Sequence, residues 1–151
     1  MEIRQDDLSS DAIKALLSTH HTEAHEQVSQ VASHAFSIER LKHPDVTFWS
    51  AWDEGVLLGC CALLEIAPDH GEIKSMHTAS AHRRKGVSTA LLRHIVDVAW
   101  RRGYKRVSLE THPTPGYAPA RAMYRGFGFT ECEVFGGHDS SPSSVFMTLL
   151  L

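Results

Sequence analysis

Residues 83–102 read RRKGVSTALLRHIVDVAWRR, and this stretch decides how the rest of the chain is interpreted. Arg83, Arg84 and Lys85 precede Gly86, and an apolar–polar repeat typical of an amphipathic helix follows. The first turn of a helix has N–H groups without intrahelical acceptors, and the helix dipole adds partial positive charge there. A glycine at this position lets a ligand approach the backbone closely. The sequence therefore predicts a site for a phosphate or pyrophosphate.

The length and the charge of the chain restrict the class of protein. With 151 residues, we expect one domain over 1–151. The formal net charge of −3 argues against general nucleic-acid binding, so the basic loop acts locally. The sequence has no charged-then-apolar leader and no apolar run near the ~20 residues of a membrane helix. We expect a cytoplasmic protein with reduced cysteines and no membrane partner.

A histidine-rich segment lies near the N-terminus and contains His20, His21 and His25. On a helix, His21 and His25 share one face, which is a metal-binding spacing. Glu23 and Glu26 lie nearby, but no cysteine or carboxylate completes a familiar metal motif. We therefore expect a solvated polar segment without a metal, and the role of the segment stays open.

The spacing of apolar residues predicts a mixture of strands and helices. Predicted strands cover residues 2–5, 46–52, 56–65, 72–78, 106–110, 130–135 and 145–151. Predicted helices begin near 11, near 28, at 87 and at 119. Tight turns between the second, third and fourth strands indicate an antiparallel meander. The helix at 87 connects two strands that we expect to be parallel, with a right-handed crossover. The predicted class is α+β, a mixed and mostly antiparallel sheet with helices on both faces.

The basic loop is neither of the two common glycine-rich nucleotide motifs. A Walker A loop ends in Gly-Lys-Ser/Thr after an earlier glycine, whereas here Lys85 precedes Gly86. The dinucleotide motif needs three glycines, and Gly86 stands alone. The loop instead resembles the acyl-CoA loop of the GNAT (Gcn5-related N-acetyltransferase) superfamily. That loop has the pattern Arg/Gln-x-x-Gly-x-Gly/Ala and is matched from Arg83 to Ser88, with serine in the last position.

A second segment carries the same resemblance. The superfamily has a short helix of the form Asn-x-x-Ala-x-x-x-Tyr, followed by Gly-Phe. Ala120 and Tyr124 match its helix, Gly128 and Phe129 match its end, and Tyr117 replaces the asparagine. Further segments are similar to a bacterial subgroup of N-acetyltransferases whose acceptors are poorly defined. They cover residues 44–49, 71–76, 108–111, 118–122 and 144–147.

The resemblance implies acetyl-CoA as the acetyl donor. Met76, His77 and Thr78 would pair with the pantetheine arm at the end of the fourth strand. Tyr117 and Ala120 would line the cofactor site from the short helix. The pyrophosphate would be held by the loop residues Arg83, Arg84, Lys85, Gly86, Val87 and Ser88.

Tyr124 is the residue that the resemblance places near the sulfur of acetyl-CoA. Its phenol would donate a proton to the leaving thiolate. The competing interpretation is a core aromatic residue at helical spacing. The exact number of residues before Gly128 and Phe129 favours the catalytic role.

The general base is less defined by the sequence. Glu72 matches a position that carries a base in some GNAT members, but a solvent-facing residue paired with Lys74 is an equal alternative. Glu110 is a second candidate carboxylate, and His77 and His112 are further candidates, because an imidazole has an intrinsic pKa near neutrality. A proton that leaves through water requires no dedicated base.

The predicted function is transfer of an acetyl group from acetyl-CoA to the primary amine of a small molecule. Direct attack in a ternary complex is the expected mechanism, because Cys60, Cys61 and Cys132 all fall in predicted strands. One alternative is acetylation of a protein lysine or N-terminus. Another is a non-catalytic acyl-CoA-binding module. We expect no nucleic-acid partner, and a homodimer is an open possibility.

Overall fold

The computed structural model describes residues 1–27 and 36–151, and within them the chain forms one mixed sheet with helices on both faces. The strands are β1 (Glu2–Gln5), β2 (Val46–Asp53), β3 (Val56–Ala67), β4 (His70–Thr78), β5 (Arg106–Thr111), β6 (Thr130–Glu131) and β7 (Val145–Leu150). The helices are α1 (Asp11–Gln27), α2 (Ile38–Leu41), α3 (Val87–Arg101) and α4 (Ala118–Phe127). The strand order is β1-β2-β3-β4-β5-β7-β6, which confirms the predicted α+β class.

Strands β2, β3 and β4 form the predicted antiparallel meander. The β2–β3 turn uses Glu54 and Gly55, both at positive φ (48° and 78°), as a two-residue hairpin requires. Gly59 pairs with Ala51, and the next pair is Leu57 with Trp52, so Leu58 is an extra residue. Gly59 therefore lies beside a β-bulge.

The β4–β5 pair is the parallel pair, and α3 crosses between its strands. Pairing runs from His70 with Arg106 to Ile73 with Leu109 and then ends, although β4 continues to Thr78. The two strands therefore separate from Ile73 onward. Beside this opening, Cys61 faces two residues of β4, and one of them, Ser75, has a φ of 53°. This second bulge was not predicted.

The two faces of the sheet bury separate apolar clusters. Leu91, Leu92 and Ile95 of α3 pack on one face, where α4 also lies. Ile13 and Leu17 of α1 pack on the other face. Full burial of one such side chain contributes about 1.5–3 kcal/mol, so the sheet holds both helical layers. Cys60 and Cys61 belong to different clusters, because neighbouring strand residues point to opposite faces.

Several predicted boundaries were wrong. The predicted strand 130–135 is only Thr130–Glu131, so Cys132 lies outside a strand. The chain leaves β7 after the Cys132 N–H donates to Phe146, and turns at Gly136, where φ is 58°. β4 begins at His70 and not at residue 72, because the turn takes up only residues 68–69. Helix α1 runs on to Gln27.

The helix predicted over 28–36 lies outside the described residues, apart from Phe36. Phe36 precedes α2 and is not helical. Ser37, the next residue, caps α2 by accepting the Arg40 N–H at 3.2 Å.

Candidate active site

A cleft of about 510 Å³ opens where β4 ends, between the basic loop and α4. Its position follows from the topology, because separated β4 and β5 leave room beside the last residues of β4. The strand supplies Met76, His77 and Thr78 to its wall. The other lining residues are His20, Glu23, Arg83, Arg84, Gly86, Val87, Ser88, Thr89, Gly116, Tyr117, Pro119, Ala120, Met123 and Tyr124.

The loop before α3 has the geometry of an anion site. Gly86 is the N-cap residue of α3, and its φ of +83° and ψ of 10° are left-handed. A Cβ atom at Gly86 would meet no other atom within 4 Å, so the space above this backbone is open to a ligand. The N–H groups of the first turn of α3 point into this region without intrahelical acceptors. The loop therefore fits the pyrophosphate of acetyl-CoA.

The three cations of the loop are placed differently. Arg83 and Arg84 line the cleft, whereas Lys85 is exposed and lies outside its wall. Arg83 donates from Nη2 to both carboxylate oxygens of Glu23 on α1, at 3.0 and 2.8 Å. A phosphate that reaches Arg83 must share this guanidinium with Glu23.

The hydroxyl of Ser88, in the first turn of α3, contacts the hydroxyl of Thr78 at the end of β4. This contact ties the helix start to the strand. The serine that replaces the usual small residue thus has a partner within the protein, and the backbone of the loop stays accessible.

The opposite wall is formed by α4 and the turn before it. Tyr117, Ala120 and Tyr124 follow one another at helical spacing and all line the cleft. The Tyr117 ring lies edge-on to His112, with 4.8 Å between centroids. Tyr117 therefore packs where the family pattern has an amide side chain.

Tyr124 belongs both to the core and to the cleft. Its ring packs against Phe129 at 5.7 Å between centroids, and the residue is 6% exposed. Burial raises the pKa of the Tyr124 phenol well above its ordinary value, and nearby Cys61 and Tyr117 add to the shift. A phenol in this environment stays protonated at neutral pH, as a proton donor must.

Glu72 lies apart from the wall of the cleft, in a buried polar cluster on the α1 side of the sheet. The Nζ of Lys74 lies 3.5 Å from Glu72 Oε2, and His138 Nε2 donates to the same oxygen at 2.7 Å. Glu110 is the second carboxylate of this polar cluster, with Oε1 3.9 Å from His138 Nδ1. The Glu72–Lys74 pair predicted as a surface contact is thus present but buried, with side chains 3% and 7% exposed.

His138 is charged more readily than an ordinary histidine in this polar cluster. The hydrogen bond to Glu72 raises the pKa of His138, against the opposing effect of burial. The Glu110 carboxylate raises this pKa further, while Lys74 lowers it. An imidazolium beside two carboxylates balances part of their charge.

A pair of histidines lines the inner part of the cleft. His20 of α1 and His77 of β4 approach with 3.1 Å between their Nδ1 atoms. Burial lowers the pKa of His20 to about 3 and also lowers the pKa of His77. Both rings are therefore neutral at physiological pH. Their contact joins α1 to β4, the strand whose last residues were predicted to bind the pantetheine arm.

Most predicted site residues meet in this one cleft. Of those predicted to bind the cofactor, Lys85 alone lies outside the wall, and Glu72 lies in the buried polar cluster. Sequence reasoning missed His20 and Glu23 of α1 and His138 of the 136–144 loop. The helical spacing of His20 and Glu23 put them on one face, but nothing local shows that this face meets the basic loop.

Among residues that the structure covers, no group of three histidine, cysteine or acidic side chains is arranged to hold a metal. His25 is one of the residues whose side chain lies outside this description. No helix within 1–27 and 36–151 is long and apolar enough to cross a membrane.

An anion loop at a helix start, beside strands that separate, is the site of a protein that binds an acyl-CoA thioester. The chain matches the acetyltransferase (GNAT) family over residues 10–129 and belongs to that family. The protein is accordingly an acetyltransferase, and acetyl-CoA is its acetyl donor.

Two curated relatives are similar over nearly their whole length. The chain is 44% identical over 148 residues to the uncharacterized N-acetyltransferase YsnE of Bacillus subtilis (strain 168), with 98% of each chain covered. It is 40% identical over 149 residues to the uncharacterized N-acetyltransferase YedL of Escherichia coli (strain K12), covering 99% of this chain and 94% of that one.

A solved structure shows the same fold. The PaiA N-acetyltransferase of Thermoplasma acidophilum, crystallised in complex with coenzyme A, has a TM-score of 0.72 at 18% identity, with 100% of both chains covered. The two proteins therefore share the arrangement of strands and helices although their sequences are only 18% identical.

Proposed function

We propose that this protein transfers the acetyl group of acetyl-CoA to the primary amine of a small molecule. The observation that carries this proposal is the low solvent exposure of the buried polar cluster beside the opening between β4 and β5. The side chains of Glu72, Lys74 and Glu110 are 3%, 7% and 5% exposed. A peptide acceptor needs an open groove, whereas a small amine fits a closed polar pocket.

The proposed mechanism is direct attack within a ternary complex. The amine nitrogen forms a bond to the thioester carbon, and the carbon–sulfur bond breaks. The amine proton passes to Glu72, directly or through water, and Tyr124 gives its proton to the leaving thiolate. The position of Tyr124 in the wall of the cleft supports its part as the acid, and its raised pKa keeps the phenol protonated until the thiolate forms.

The cysteines support direct transfer over an acetyl-cysteine intermediate. Burial raises the pKa of Cys60 to about 12 and raises the pKa of Cys61 well above its ordinary value. The pKa of Cys132 is also raised by burial. A thiol that stays protonated is a poor nucleophile, so none of the three is suited to carry the acetyl group.

We also propose that the whole chain acts as one cytoplasmic domain, and a homodimer is the open alternative to a monomer. One sheet carries both core clusters, which supports a single folding unit. Light scattering of the purified protein tests the assembly, and a monomer at micromolar concentration would contradict the homodimer.

The release of coenzyme A thiol tests the function. Acetyl-CoA is mixed with small primary amines (amino acids, alkyl diamines, arylethylamines and aminoglycosides) and, separately, with peptides that offer a lysine or an N-terminal amine. We expect rapid release with at least one small amine and little with the peptides. Rapid release with peptides alone would show a protein acetyltransferase instead. Absence of release with every acceptor would leave acyl-CoA binding as the activity.

A further inference from the structure

We infer that His138 is a positioning residue of the acetyl transfer: its imidazole bridges Glu72 on β4 and Glu110 on β5 and holds the Glu72 carboxylate in place as proton acceptor. This inference rests on the proposed function, in which Glu72 takes the amine proton. His138 comes from the 136–144 loop, 66 residues away from Glu72 in sequence.

The first observation is where the bridge lies. β4 and β5 pair up to Ile73 and Leu109 and then separate, so Glu72 and Glu110 flank the point of separation. His138 reaches the first with Nε2 at 2.7 Å and approaches the second with Nδ1 at 3.9 Å. One ring thus spans the two strands beside the point where they separate.

The second observation is that the ring itself is held. The His138 ring packs edge-on against Phe135, with 5.4 Å between centroids, and lies tilted to Phe146 at 5.7 Å. Ser144 donates to Glu110 Oε2 at 2.5 Å, and His112 donates to the Ser143 carbonyl at 2.6 Å. The C-terminal end of the 136–144 loop is therefore fixed to β5 and its continuation.

The third observation concerns charge. Glu72, Lys74 and Glu110 face His138 directly, and His70 lies beyond the Phe135 ring at 5.6 Å between centroids. Burying a charged side chain costs free energy, so a buried ion pair adds little to the stability of a fold. A buried set of two acids with cations at their side is a pattern of functional sites. The bridge explains why both carboxylates are kept beside the opening.

The test compares three variants of the full chain. In His138→Phe the ring stays between Phe135 and Phe146 but both N–H groups are lost. His138→Gln keeps an N–H donor for Glu72. Asp139→Asn, in the same exposed loop, is the matched control. Steady-state kinetics use acetyl-CoA with the panel amine of highest kcat/KM, or the slow release of thiol to water where no amine reacts.

We expect His138→Phe to lower kcat by about 10- to 100-fold, a smaller loss than the ~10²–10⁴-fold typical of removing an acid or base. The KM for acetyl-CoA should not change, because the bridge does not line the cofactor cleft. His138→Gln should recover most of the lost rate, and Asp139→Asn should match the wild type. In a Glu72→Gln background, His138→Phe should have no further effect on kcat.

Two results would overturn the inference in distinguishable ways. If kcat falls in Glu72→Gln but not in folded His138→Phe, the role of His138 alone is removed. The same follows if the effects of the two substitutions on kcat multiply in the double variant. An unchanged kcat in Glu72→Gln removes the base as well, while thiol release by the wild type still supports acetyl transfer. Thermal melting of each variant identifies any loss of rate that is caused by unfolding. If His138→Phe is unfolded, the kcat of His138→Gln tests the inference: a kcat near that of the wild type supports it, and a kcat as low as that of Glu72→Gln contradicts it.

Discussion

Tyr124 lies both in the core and in the wall of the cleft, so its position fits the packing role and the proposed catalytic role. Its ring packs in the core beside Phe129, and the same residue lines the cleft. A core position excludes water from the phenol, and this exclusion keeps the proton on the oxygen. Packing and chemistry are therefore linked at this residue, and a test must remove the hydroxyl while keeping the ring.

Tyr124→Phe should lower kcat by about 10²–10⁴-fold and leave the affinity for coenzyme A nearly unchanged. The reason is that the thiolate acquires its charge only as the thioester breaks, so the lost interaction belongs to the transition state. Steady-state kinetics and calorimetric titration of coenzyme A measure the two quantities. A kcat equal to that of the wild type would make the hydroxyl incidental and Tyr124 a packing residue.

The pKa of His138 should fall toward its ordinary value of 6.5 in Glu72→Gln, because the hydrogen bond that His138 donates to Glu72 is the largest cause of its increase. A raised pKa in the folded state stabilises the fold fully below pH 6.5, and this contribution is lost as the pH rises through the folded pKa. Titration of the His138 ring proton by NMR measures the shift. A midpoint that stays raised in Glu72→Gln would assign the shift to Glu110 instead.

The predicted phosphate site lies at the junction of β4, the basic loop and α3. Its geometry depends on Gly86, whose left-handed backbone begins the helix. Gly103, at the other end of α3, has a similar φ of +80° and equally open surroundings. Gly86 and Gly103 therefore share one backbone requirement, and Gly103 does not line the cleft.

Gly86→Ala and Gly103→Ala should each destabilise the fold by a similar amount, about 1 kcal/mol, because a Cβ is unfavourable at positive φ. Gly86→Ala alone should weaken coenzyme A binding, since the methyl group enters the space above the first-turn N–H groups. Denaturant unfolding and calorimetric titration measure the two effects. Equal coenzyme A affinity in both variants would show that the phosphates bind elsewhere.

At the level of single helices and strands, most of the fold could be predicted from the sequence. The periodicity of the strands, the Asp53–Gly55 turn and the amphipathic α3 each have a local cause, so each could be predicted. The Ser75 bulge and the short β6 could not, because both depend on how the strands pair. The contacts of Glu23 with Arg83 and of Glu72 with His138 join distant segments, and local patterns carry no information about them.

For the whole molecule, buried histidines set the response to acid. Among the described residues, burial lowers the pKa of His20, His70, His77 and His94. The unfolded chain therefore binds more protons than the folded chain once the pH falls below 6.5. The raised pKa of His138 stabilises the folded chain at low pH instead, but it is one histidine against the four whose pKa values are lowered.

The free energy of unfolding should therefore decrease as the pH is lowered from 7.5 to 5.5. Urea denaturation at both pH values, at constant ionic strength, measures the change. His94→Gln should reduce the pH dependence without touching the cleft, because His94 packs against Trp49 and does not line the site. Equal or greater stability at pH 5.5 would contradict this account of the histidines.

The thiols on opposite faces of β3 have a practical consequence for labelling and assay design. Cys60 and Cys61 have no exposed surface, whereas Cys132 is partly exposed. A disulfide reagent that detects free coenzyme A should therefore react with one protein sulfur per native chain and with all three after denaturation. The background in a turnover assay is then small and constant. The rate at which Cys60 and Cys61 react with the reagent in the native protein measures how often the sheet opens spontaneously.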